Sequence, residues 1–359
     1  MDNLKLIVME NCKDLGEKVN KHLQEIVSTN EDLRIPIDEV KFNNGEGKVV
    51  IKESVRKKDI FILTDPMNHS ITYKMYNYLN HKSPDDHFVD VIRTLCAIRN
   101  QAERVSLVMP FLYASRQHKR DGRESLDCAV ALQEFIHQGV KNIITFDVHD
   151  SNVQNAIPSS SFDNFYPTNI ILEKFVTEED IDKNNLLAVS PDNGALKRTR
   201  FFANMLGCEL GGHFEKHRDV YHVIDGKNPI LEHEYIGKDV SDKDIVIVDD
   251  MISSGESMLD VARELKKRGA NRIYMFSAYV MFTKGIVVFD KAYKEGLFEK
   301  VFTTNLSYIM DEAKDRDWIT IADCSEYLAK IIYTFHIGGS ISPILSATSK
   351  VLEDFAHNN

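Results

Sequence analysis

Ile245-Val246-Ile247-Val248-Asp249-Asp250-Met251-Ile252-Ser253-Ser254-Gly255-Glu256-Ser257-Met258-Leu259 changes character twice. Four β-branched apolar residues run into two carboxylates. A turn of small and hydroxyl-bearing residues follows, and then an amphipathic pattern over 256–268. This predicts strand, short loop, helix. The loop stands at the carboxyl end of a buried parallel strand, where open α/β sheets bind ligands. Backbone N–H groups and hydroxyls at a helix start suit a phosphate dianion. The carboxylates repel that phosphate and suit sugar hydroxyls or a cation. Phosphate on one side and a diol on the other describe a sugar phosphate. The plainer alternative is that the paired aspartates start a loop and cap a helix. On pattern alone both readings stand. Neither G-x-x-x-x-G-K-[ST] nor G-x-G-x-x-G is present.

Working outward, apolar strand patterns at 4–9, 49–51, 59–63, 105–109, 143–148, 186–189 and 272–279 alternate with helical periodicity. Alternation at this spacing argues α/β. Its 359 residues suggest two domains of ordinary size, and the aperiodic stretch 157–167 places the joint near 165. The expected domains are 1–165 and 166–359. The chain is 43% hydrophobic and 28% charged with a net charge of −11, which argues against nucleic-acid or anionic-membrane binding. Five scattered cysteines show no disulfide framework or C-x-x-C metal spacing, as expected in a reducing cytosol. No signal peptide or run long enough to span a membrane is visible, so a cytoplasmic location is expected.

Other stretches carry chemistry by position. Phe42-Asn43-Asn44-Gly45-Glu46 reads as a turn. Residues 67–88 read as a polar insertion around a short helix. Arg116-Gln117-His118-Lys119-Arg120 and Arg123 follow a strand, where a cationic run suits an oligophosphate, with arginine giving the bidentate grip. Asp147-Val148-His149 ends the next strand, and a lone histidine there is ordinarily a structural hydrogen-bonding residue. Asp192 follows the strand at 186–189. Gly211 to Asp219 reads as an exposed loop of mixed charge, continuing through 220–238 as a flap or hairpin. Residues 351–359 read as a loose tail.

Together, and in this order, these motifs resemble the ribose-phosphate diphosphokinase (phosphoribosyl diphosphate synthetase) family over residues 4–345. The resemblance rests on Val248-Asp249-Asp250 with Ser253-Ser254-Gly255-Glu256-Ser257, and on Phe42/Asn44/Glu46, Arg116-Gln117, Asp147/His149, Ser190-Pro191-Asp192 and Lys216/Arg218. The chain departs from the family pattern at Ser253 and His118 (usually aspartates) and at Ala195 and Glu256 (usually glycines). The resemblance implies two tandem phosphoribosyltransferase-type domains, each a mainly parallel sheet flanked by helices. It implies transfer of the diphosphoryl group of ATP to O1 of ribose 5-phosphate, giving 5-phosphoribosyl 1-diphosphate and AMP.

The roles it implies are these. Lys216 and Arg218 are catalytic, on a mobile flap. Phe42, Asn44 and Glu46 read adenine across a subunit boundary, with Arg116, Gln117 and His149 as further nucleotide contacts. Asp249, Asp250, Ser253, Ser254, Gly255 and Ser257 bind ribose 5-phosphate, and His149 and Asp192 bind Mg²⁺. The partners implied are ATP, ribose 5-phosphate and further copies of the chain in a dimer or hexamer. A catalytically silent relative that regulates or scaffolds an active synthase is the first alternative. A phosphoribosyltransferase acting on a base is the second, and an α/β binding protein without turnover the third.

Overall fold

The structure is a computed structural model that describes residues 3–120, 122–218, 230–346 and 350–357; at 216–218, 230–233, 346 and 357 it describes the backbone alone. The chain divides into two compact units. Unit 1 comprises Met1–Pro167, Asn305–Ile309 and Asp323–Ala347; unit 2 comprises Thr168–Thr304, Met310–Ala322 and Thr348–Asn359.

In chain order, unit 1 contains β1 (Leu4–Val8), α1 (Lys13–Val27), β2 (Ile37–Lys41), β3 (Gly47–Ile51), β4 (Asp59–Leu63), β5 (Thr72–Met75), β6 (Tyr78–His81), α2 (Pro84–Ile98), β7 (Arg104–Val108), α3 (Asp127–His137), β8 (Asn142–Phe146) and β9 (Ser161–Phe165). Unit 2 continues with α4 (Thr168–Glu178), β10 (Leu186–Ser190), α5 (Leu196–Leu206), β11 (Glu209–Arg218), β12 (Ile230–Gly237), β13 (Asp244–Ile252), α6 (Glu256–Lys267), β14 (Ile273–Val280), α7 (Val287–Lys294), β15 (Lys300–Thr304), α8 (Asp311–Lys314) and β16 (Ile319–Ala322). Then come α9 (Ser325–His336) and α10 (Ser342–Ser346), which belong to unit 1, and α11 (Lys350–His357), which belongs to unit 2.

The unit 1 sheet runs β1-β4-β7-β8-β9 and is parallel throughout. Its central strand residues Ile60, Ile62, Leu107 and Ile143 are fully buried against Val91, Leu95 and Phe135 from the helices. Two hairpins, β2–β3 and β5–β6, stand apart from this sheet. The unit 2 sheet runs β12-β11-β10-β13-β14-β15-β16 and is parallel except for the β11–β12 hairpin. On one face Phe175 meets Tyr274, Phe276 and Phe302 with ring centroids 5.0, 5.0 and 5.3 Å away. On another side Phe282, Phe289 and Phe298 gather around Trp318.

Two mainly parallel sheets with flanking helices are the architecture expected. Four local readings are corrected. Residues 209–218 form strand β11 rather than a loop, because the β11–β12 ladder satisfies a backbone whose charged side chains gave no strand signal. The insertion holds the β5–β6 hairpin rather than a short helix; its turn residues Tyr76 and Asn77 have φ of 47° and 65°. Residues 350–357 form helix α11, which buries Leu352 completely in the unit 2 core. The stretch 166–359 is not one unit, because α9 buries Leu328, Ile331 and Ile332 in unit 1.

Candidate functional site

In unit 2, β13 lies between β10 and β14, and the strand order reverses at β10, whose other neighbour is β11. Ligand sites of open α/β sheets lie at such a switch point, beyond the strands' carboxyl ends. Residues 245–248 are fully buried, as a central parallel strand requires. The strand continues through Asp249 and Asp250 to Ile252. Met281 N–H donates to Ile252 O at 2.8 Å, and Thr283 N–H to Ser253 O at 3.0 Å. These bonds anchor the loop at the strand end.

The turn depends on Gly255. Its φ is +83°, and a Cβ there would lie 2.2 Å from the Phe289 ring. It is the N-cap of α6 with no side-chain hydrogen bond to the helix start. The first-turn amides of a helix have no intrahelical partner, so such a start is a place for an anion. Ser253 and Ser254 are half-buried beside it and Ser257 is exposed. Glu256, the residue that departs from the family glycine, points its carboxylate to Lys284 Nζ at 2.8 Å. That hydrogen bond lowers its pKa, and the added negative charge is matched by a cation.

The carboxylates form the second half of the site. Asp250 is 3% exposed, and its Oδ1 accepts from Met251 N–H at 2.8 Å. Asp249 Oδ1 accepts from Asp250 N–H at 2.9 Å. The Asp249 pKa is pushed up to about 8, first by burial, then by the charges of Asp250 and Asp192; Arg198 opposes the shift. Asp192 Oδ1 accepts from Ala195 N–H at 3.1 Å, and Ser190 Oγ donates to Asp192 O at 2.7 Å. Ala195 has φ −83°, a conformation that does not need the family glycine. Crowded carboxylates of this kind favour a cation or hydroxyl donors. Among the described residues no group of three or more His, Cys, Asp or Glu converges to hold a metal ion. Mg²⁺ characteristically takes one or two carboxylates and completes its shell with phosphate oxygens and water, which suits this donor set.

Lys216 and Arg218 lie at the end of β11, their backbones opposite His233 and Ile230 of β12. A register shift between His217 and Arg218 breaks strict alternation there. Their side chains lie outside the described residues.

In unit 1, Phe42–Glu46 is the tip of the β2–β3 hairpin. Phe42 N–H donates to Glu46 O, and Gly45 N–H to Phe42 O, both at 2.8 Å. Asn44 Nδ2 donates to Glu46 Oε2 at 2.8 Å, so the two polar residues share one edge. Phe42 is 44% exposed, and Lys48 Nζ lies over its ring at 5.8 Å from the centroid. Arg116 and Gln117 are exposed in the loop after β7, which a bond from Gln117 N–H to Ala114 O folds back on itself. The rings of His118 and His149 lie with centroids 5.3 Å apart, tilted at 58°, and His118 Nε2 lies 3.5 Å from Asp150 Oδ2. Among the described residues the buried Nδ1 of His118 has no hydrogen-bond partner. His149 and Asp192, the expected metal pair, fall in different units.

One carboxylate escaped the sequence reading. Asp65 follows β4 and is buried, accepting from Ser307 Oγ at 3.0 Å, Tyr308 N–H at 2.7 Å and Met67 N–H at 3.0 Å. Burial pushes its pKa up to about 6 against these bonds. The available signal was a carboxylate two residues past the apolar run Ile60-Phe61-Ile62-Leu63.

Comparisons with known proteins bear on the family and the fold. Residues 4–139 match the family described as the N-terminal domain of ribose phosphate pyrophosphokinase, and residues 169–303 match the phosphoribosyl transferase domain. A ribose-phosphate pyrophosphokinase of Synechococcus elongatus is 27% identical over 312 residues, covering 86% of this chain and 85% of the relative. One of Ralstonia nicotianae is 27% identical over 343 residues, covering 92% and 95%. The crystal structure of phosphoribosylpyrophosphate synthetase from Mycobacterium smegmatis superposes with a TM-score of 0.77 at 22% identity, covering 94% of this chain and all of the other, which shows the shared fold. With both halves matched in tandem and in order, the chain belongs to the ribose-phosphate pyrophosphokinase family.

Proposed function

We propose that the chain transfers the diphosphoryl group of ATP to O1 of ribose 5-phosphate. The O1–Pβ bond forms, the bond from Pβ to the α-phosphate's bridging oxygen breaks, AMP leaves, and the O1 proton passes to solvent. The observation that carries this reading is the composite end of β13. An uncapped helix start at Gly255 stands a few residues from crowded Asp249 and Asp250.

The 5-phosphate sits on the α6 amides with Ser253, Ser254 and Ser257. Asp249 and Asp250 receive the ribose hydroxyls. Phe42, Asn44 and Glu46 read adenine, and Arg116, Gln117 and His149 grip the nucleotide. Asp192 on unit 2 and His149 on unit 1 would each serve as a Mg²⁺ contact, and the ion, when bound, would neutralise charge on the oligophosphate. Lys216 and Arg218 neutralise the transferring group, and closure of their hairpin excludes water. Positioning of this kind contributes roughly 7–11 kcal/mol to a bimolecular reaction, and electrostatic stabilisation adds to it.

The test incubates the purified protein with ATP, Mg²⁺ and ribose 5-phosphate and measures AMP and the 1-diphosphate. Lys216→Ala is expected to lower kcat by about 10²-fold or more while ribose 5-phosphate affinity stays within a few-fold. Unchanged turnover in that variant removes Lys216 from the chemistry. An inactive wild type that still binds both substrates supports the catalytically silent alternative.

A further inference from the structure

Asp85 and Asp86 are neighbours on the first turn of α2, and each holds a different loop. Asp86 divides its carboxylate. Its Oδ2 accepts from Ser83 N–H at 3.0 Å, while Ser83 Oγ accepts from Asp86 N–H at 3.2 Å, which closes the capping box of α2. Its Oδ1 accepts from Lys41 Nζ at 2.7 Å. Lys41 is the last residue of β2, directly before Phe42, and its side chain is only 9% exposed. The same ammonium lies 4.9 Å from the Tyr73 ring centroid on β5.

Asp85 turns the other way. Its Oδ1 accepts the phenolic O–H of Tyr113 at 2.7 Å. The Tyr113 ring stacks on Phe88, one turn along α2, at 4.8 Å and 17°. Tyr113 opens the turn that ends in Arg116. Within it Ala114 has φ +54°, and Ser115 N–H donates to Leu112 O. A backbone held in that conformation depends on its neighbours for its setting.

The β5–β6 hairpin adds a second tie to the first loop. Tyr76 N–H donates to Asn43 O at 2.9 Å, and Met75 Sδ fills the space beside Gly45. The capping box already satisfies the start of α2. The bonds to Lys41 and Tyr113 are therefore not needed to form the helix.

We propose that the first turn of α2, through Asp85 and Asp86, is a positioning element that couples the Phe42–Glu46 hairpin tip to the Arg116 loop. The proposal rests on the reading of both segments as nucleotide contacts. Its consequence is that the two segments move as one, so loosening either weakens nucleotide binding at both.

The test uses the full chain with Tyr113→Phe, which deletes one hydrogen bond and keeps the stacking, with Lys41→Met, and with both together. Asp86→Asn, which retains an acceptor for the Ser83 amide, guards against loss of fold and is expected to match Lys41→Met. The first readout is amide hydrogen exchange without nucleotide, which needs no activity. Each single substitution is expected to speed exchange at least threefold at both 42–46 and 114–117. Acceleration confined to the substituted segment overturns the coupling.

The second readout is titration with α,β-methylene ATP. Each single variant is expected to bind at least threefold more weakly, and the double variant by less than the product of the two losses, with ribose 5-phosphate affinity unchanged. Losses that multiply, or an unchanged affinity for the analogue, also overturn it. A wild type that binds no analogue refutes the nucleotide reading, while hydrogen exchange still decides the coupling.

Discussion

Gly255 concentrates the demands of the unit 2 site in one residue. Its positive φ and the Phe289 ring beside it leave no space for a side chain. Gly255→Ala combines backbone strain with overpacking and is expected to destabilise the protein by about 2–4 kcal/mol. Urea denaturation checks this, and a loss below about 0.5 kcal/mol contradicts the contact. Asp65 makes a prediction about pH. Its pKa rises from an ordinary value of 3.8 to about 6 through burial. Between about pH 4 and 6 the native state holds a proton that the unfolded chain has released. Stability therefore falls as pH rises through that window and levels above it. Relative to Asp65→Asn, the wild type is expected to lose up to about 3 kcal/mol across the window. A difference independent of pH, measured by denaturation at stepped pH, shows that Asp65 does not titrate there.

At the scale of elements, α9 matters most to unit 1. It follows the strands of unit 2 in sequence, yet Tyr327 and Phe335 pack on Phe146 and Phe165 of unit 1. His336 Nδ1 and the Arg104 guanidinium meet the buried Asp59 carboxylate, and Arg104 also donates to the Phe335 carbonyl. Burial of Leu328, Ile331 and Ile332 contributes about 1.5–3 kcal/mol each. That sum is comparable with the whole stability of a domain. Residues 1–167 expressed alone are therefore expected to lack a cooperative thermal transition, and fusion of 323–347 to restore one. Cooperative melting of 1–167 by calorimetry contradicts this. Leu328, Ile331, Ile332 and Phe335 have the spacing of one helical face, but a helical stripe does not name the surface that covers it. Hairpin β5–β6 escaped for a different reason. Its Tyr76-Asn77 turn has the backbone of a tight hairpin without the glycine that normally announces one.

For the whole molecule, the expectation that Phe42, Asn44 and Glu46 read adenine across a subunit boundary requires self-association. A dimer or hexamer is expected by light scattering, with specific activity falling on dilution below the dissociation constant of the assembly. A fully active monomer refutes that role for the hairpin. The family, the two sheets and the strand–loop–helix at 245–259 could be read from residues alone. Buried parallel strands are continuous apolar runs, and ligand loops must follow their carboxyl ends. Three-dimensional packing alone decided that β11 is a strand, that α9 belongs with unit 1, that Lys284 answers Glu256 and that Asp85 and Asp86 each hold a different loop. Local periodicity records which face of an element avoids water. The partner that covers that face, and the ion that meets a given charge, come from residues distant in sequence and are set only when the chain closes on itself.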